Sequence, residues 1–107
     1  MGVVSPCGHD LDTFFSNLIA SRSGVSRVTI PAASAELNLV AAQVGDLPGP
    51  RTADRQFCQL DRATQFALIA ADHALADAAL ILTDEESLSS GVYWGTGLGG
   101  EIGRAHV

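Results

Sequence analysis

Apolar residues recur at helical spacing in two stretches of this chain and at strand-like spacing between them. Leu11, Phe14, Phe15, Leu18 and Ile19 fall three and four apart, so they share one face of a helix. Asp10 stands at its N-cap position, Asp12 adds an acidic group in the first turn where the helix dipole favours it, and Ser23-Gly24 ends the element. Ahead of that helix, Val3 and Val4 run into the turn chemistry of Ser5-Pro6-Cys7-Gly8. Val28-Thr29-Ile30 and Leu37 to Val44 read as short strands, and Gly45, Pro48, Gly49 and Pro50 make a loop.

The second helical stretch is the longest periodic segment, spanning about Asp54 to Ala79. Leu60, Ala63, Phe66, Ala67, Ala70, Ala74, Leu75 and Ala78 form its apolar stripe, while Asp61, Arg62, Gln65, Asp72 and Asp77 lie off it. Its alanines favour helix and permit close approach of a neighbour, which predicts a long, largely buried helix. Thr83-Asp84-Glu85-Glu86 has capping-box spacing and predicts a short helical turn. Gly91-Val92-Tyr93-Trp94 then reads as a buried strand entering a glycine-rich turn, Gly95 to Gly100. The pattern as a whole is α/β.

Composition changes this picture little but narrows the function. Hydrophobic residues make up 47 % of the 107 positions and charged ones 17 %, a core-forming balance. Six basic against twelve acidic residues leave a net charge of −6, and no basic run meets a polyanion, so nucleic acid is not an expected partner. No apolar stretch reaches the length of about 18 residues that a membrane span needs. No charged-then-apolar leader opens the chain, and a soluble, cytoplasmic protein is expected.

The candidate chemistry is sparse. Cys7 and Cys58 stand 51 positions apart without secretory signs, and reduced thiols are expected. Pooling Cys7 and His9 with Cys58 and His73 supplies four zinc-type ligands, but their spacing matches no familiar knuckle. The plainer reading is a loop thiol, a helix thiol and two solvated imidazoles, and no metal is assigned. Gly95-Thr96-Gly97-Leu98-Gly99-Gly100 satisfies G-x-G-x-x-G after an expected strand, the arrangement by which glycines admit a pyrophosphate to a helix N-terminus. The long helix precedes this motif instead of following it, so a nucleotide-binding module remains the lesser reading.

A wider set of matches covers residues 1–100 in order. Gly2-Val3-Val4-Ser5-Pro6-Cys7-Gly8, followed by a helix with an aromatic at Phe15 and Leu18-Ile19 ahead of Ser23-Gly24-Val25, resembles the opening of the β-ketoacyl synthases of fatty-acid and polyketide synthesis. Leu60-Asp61-Arg62-Ala63-Thr64-Gln65-Phe66-Ala67 at the head of an Ala-rich helix resembles the same family, as does Gly95 to Gly100, which looks like its Gly-Ser/Thr-Gly-x-Gly-Gly turn. Phe15 stands where that family often has Trp, and Ser21-Arg22 replaces a more usual Gly-containing pair.

The resemblance implies a partial thiolase-like fold, the N-terminal half of a layered αβαβα architecture, truncated at both ends, from a homodimer or heterodimer. Met1-Gly2 looks like the last two residues of a Thr-Gly-Met-Gly motif that would follow a missing first strand. Residues 1–100 are then a fragment of the synthase N-terminal domain. Glu101-Ile102-Gly103-Arg104-Ala105-His106-Val107 is unrelated to what precedes it: back-translated as gagatcggaagagcacacgtc and followed by tga, it reproduces a common short-read library adapter. Residues 101–107 are therefore expected to be an artefact.

The implied reaction is a decarboxylative condensation of acyl and malonyl thioesters of acyl carrier protein. A cysteine carries the acyl group, two histidines assist, and no metal or organic cofactor takes part. The family's nucleophile lies in a Thr-Ala-Cys type motif beyond Gly100, with the histidines further on, so no catalytic residue is assigned and the chain alone is expected to be inactive. The x of the glycine turn lines the acyl-chain pocket in that family, which makes Leu98 the one expected substrate-binding residue. The alternative within this resemblance is a fragment of a silent chain-length-factor-like partner subunit, which lacks the nucleophile.

Overall fold

The computed structural model describes residues 1–31, 33–47, 55–97 and 99. Expectations that rest on Pro48, Gly49, Pro50, Asp54, Leu98, Gly100 and residues 101–107 fall outside these residues. The described residues carry helices together with an antiparallel two-stranded sheet, the coarse α/β character expected. They divide into two units, one within Val3–Pro48 and a second made of Met1–Gly2 with the described residues that follow Gly49.

In the first unit, Ser5 and Gly8 exchange backbone hydrogen bonds of 2.9 and 3.1 Å across the expected turn. Helix α1, Leu11–Ile19, follows, and its register is set where the sequence placed it: Asp10 Oδ1 accepts from the Thr13 N–H at 2.8 Å. Asn17 on α1 reaches back to donate to the Cys7 carbonyl at 2.7 Å, tying helix to turn. Gly24 closes the same corner. A Cβ there would lie 2.9 Å from the Pro6 side chain and 3.1 Å from Cys7 Sγ, so a larger residue displaces the turn.

Strands β1, Val25–Pro31, and β2, Glu36–Ala42, then pair as a hairpin; β1 extends past the expected Val28 to Ile30 at both ends, and β2 starts and ends earlier than the expected Leu37 to Val44. The register sets Val28 opposite Leu39 and Ile30 opposite Leu37 on one face. Thr29 and Asn38 pair on the other face, where the Thr29 hydroxyl donates to Asn38 Oδ1 at 2.8 Å.

In the second unit a 3-10 turn, Phe57–Gln59, leads to helix α2, Arg62–Asp77. The helix is shorter than the expected Asp54 to Ala79, because Leu60 and Asp61 are both extended and Asp61 caps it. Gln65 Nε2 donates to the carbonyls of Phe57 and Leu60, 3.1 Å each, and fastens the 3-10 turn against the helix start. Gly2 lies so close to α2 that a Cβ would overlap the Ala70 carbonyl oxygen. The expectation of a largely buried α2 is corrected: its single buried residue is Ile69, 1 % exposed, which the expected stripe did not include. Helix α3, Asp84–Ser89, starts at the expected capping box, with Thr83 and Glu86 bonded reciprocally.

The expected buried strand at Gly91 to Trp94 is also corrected. These residues lie outside any strand, and Val92 and Tyr93 are 94 % and 97 % exposed. A strand needs a ladder partner for its N–H and C=O groups, and none of the described residues supplies one.

Candidate functional site

The candidate groups are held by local geometry of three kinds: a turn, a 3-10 element and the glycine segment. Cys7 sits half-buried in the Ser5 to Gly8 turn, its N–H donating to Ser5 Oγ at 3.2 Å and its carbonyl engaged by Asn17. Cys58 is exposed in the Phe57–Gln59 turn ahead of α2. Both are free thiols. His9 and His73 are half-buried, not the solvated imidazoles expected. Among the described residues no group of three His, Cys, Asp or Glu side chains converges as a metal site.

The glycine segment is described at Gly95, Thr96, Gly97 and Gly99. Thr96 Oγ1 accepts from the Gly99 N–H at 3.1 Å, and Gly99 adopts a left-handed φ of 46°, a conformation glycine takes without a side-chain clash. The turn chemistry is therefore as read from the sequence, while the element ahead of it is not. A dinucleotide fingerprint needs a strand leading into its first glycine. Residues 91–94 do not form one, so the geometry does not favour the nucleotide-binding reading. Leu98, the expected acyl-pocket residue, lies outside the described residues.

Among the described residues, Asp10, Asp61 and Glu86 have shifted acidities, and each works at a helix start. Asp10 is held below the usual carboxylate range by the Thr13 N–H and then its hydroxyl. Asp61 is lowered first by the Thr64 hydroxyl, at 2.7 Å, and then by the Thr64 N–H. Glu86 is lowered by the Thr83 N–H and then its hydroxyl. Their partners are backbone and threonine groups of the same helix turn, so these are capping carboxylates and not acid-base groups aimed at a substrate.

A concave feature among the described residues is a depression of about 200 Å³ on the hairpin, lined by Arg27, Asn38, Leu39 and Val40. It is smaller than the range of about 300–1,000 Å³ usual for small-molecule sites. It holds neither cysteine nor histidine.

The order of motifs along the chain therefore says more than any cluster of side chains. The family described as Beta-ketoacyl synthase, N-terminal domain, matches residues 1–106. The chain belongs to this family. It is similar to a 3-oxoacyl-(acyl-carrier-protein) synthase 2 of Synechocystis sp., 30 % identical over 101 residues that cover 94 % of this chain and 24 % of that protein. The protein of the same name from Staphylococcus aureus strain N315 is 31 % identical over 105 residues, again 94 % of this chain and 24 % of the relative. The chain thus spans about a quarter of the length of the curated relatives it matches. No solved structure matches it. No helix of the described residues is long and apolar enough to cross a membrane.

α1 and the turn it anchors, the capped start of α2, and the glycine turn are the three places where the sequence resemblance was strongest. Each is held by short-range backbone geometry. Ile69 is the residue that sequence reasoning missed: it lies between Phe66 and Ala70, both on the expected stripe, and the surrounding alanines blur which side of the helix is most apolar.

Proposed function

We propose that this chain is part of a 3-oxoacyl-acyl carrier protein synthase of fatty-acid or polyketide synthesis, with residues 1–100 forming scaffold of a thiolase-like, layered αβαβα domain. The family match over residues 1–106 carries this reading. In the proposed reaction a cysteine thiolate attacks the acyl thioester of acyl carrier protein and releases the carrier thiol. Malonyl carrier protein loses carbon dioxide, its carbanion attacks the acyl-enzyme thioester, and the 3-oxoacyl carrier protein departs as the thiolate is regenerated. Acyl carrier protein thioesters are the proposed partners, the working protein is a homodimer or heterodimer, and the location is cytoplasmic.

Neither Cys7 nor Cys58 is assigned as the nucleophile. Cys7 lies in a turn whose polar groups are spent on Ser5 and Asn17, and Cys58 lies exposed in a 3-10 element ahead of a helix. A condensing thiolate needs a base or a stabilising positive group beside it. The purified 107-residue chain, incubated with an acyl carrier protein thioester, is expected to show no stoichiometric acyl adduct by mass spectrometry. An adduct abolished by Cys58→Ser or Cys7→Ser would overturn this assignment. The reading as a silent chain-length-factor-like subunit is separated by sequencing the source DNA past the codon for Gly100, where a Thr-Ala-Cys type motif or its replacement decides.

Leu98 is proposed to line the acyl-chain pocket, where a large aliphatic residue limits the chain that fits. In a condensing protein that contains this sequence, Leu98→Ala should raise kcat/KM for acyl chains beyond the normal limit on the order of tenfold relative to shorter ones. Unchanged chain-length selectivity would leave Leu98 a packing residue.

A further inference from the structure

We draw no further inference here: the strongest candidate, the apolar face of the β1–β2 hairpin formed by Val28, Ile30, Leu37 and Leu39, carries nothing because nothing in the structure shows what covers it.

Discussion

Ser21 and Ala79 sit immediately past the ends of α1 and α2 with φ of 53° and 50°, in the left-handed region that side chains other than glycine rarely occupy. Both complete the same terminator. Ser21 N–H bonds to the Leu18 carbonyl and Arg22 N–H to Asn17, while Ala79 N–H bonds to Ala76 and Leu80 N–H to Leu75, the paired bonds of a Schellman motif. The N-caps of α1 and α3 were legible in the sequence because Asp10 and Thr83 announce them; these C-caps were not, because neither position holds glycine. A left-handed residue other than glycine costs about 1–2 kcal/mol, whereas glycine's extra unfolded-state entropy costs about 0.5–1 kcal/mol. Ala79→Gly should therefore stabilise the end of α2 by up to about 1.5 kcal/mol. In a peptide of residues 55–82 the substitution is expected to raise helicity measured by circular dichroism, and a fall in helicity would show that the left-handed cap does not form.

The starts of α1 and α3 fall where the sequence reading placed them, the start of α2 lies at Arg62 and not at the expected Asp54, and all three share one electrostatic design. Asp10, Asp61 and Glu86 are each lowered in pKa by donors of their own first turn, so the folded helices bind fewer protons than the unfolded chain near pH 4. Their stabilisation is complete above the unfolded carboxylate range and is lost as pH falls through the lower folded values. Helicity of the 55–82 peptide should hold from neutral pH to about 5 and then drop toward about pH 3. Asp61→Asn keeps an acceptor for Thr64 but no titrating charge, so it should begin less helical at neutral pH and lose less on acidification. An identical pH profile for both peptides would remove Asp61 as the source. Two element-scale expectations failed for a common reason. The extent of α2 burial and the strand at Gly91 to Trp94 depend on non-local partners, whereas periodicity and β-propensity report only what a segment is suited to. The hairpin was half legible: Val28, Ile30, Leu37 and Leu39 announced strands, but their pairing register rests on contacts across the turn.

At the scale of the whole molecule, apolar surface dominates what the described residues do. Ile69 is the only buried hydrophobic among them, whereas Phe15, Leu18, Ile19, Leu37, Val92 and Tyr93 are each half or more exposed. Scattered exposure of this kind is ordinary, but here it includes one side of α1, a hairpin face and an unpaired strand-like segment, which together leave little packing to define a single state. The net charge of −6 opposes association, yet at physiological salt its reach is only about 8 Å, so apolar patches can still meet. The isolated chain should therefore be associated or molten: helical in the far ultraviolet, weakly fixed around its single Trp94, and binding a dye that reports exposed apolar surface. Association should increase with salt and as pH approaches the isoelectric point of 4.7, where the opposing charge vanishes. Size-exclusion chromatography, near-ultraviolet dichroism and amide dispersion test this together. A salt-independent monomer with dispersed amides and a cooperative thermal transition would show that local caps, one hairpin and Ile69 suffice to specify a packed domain.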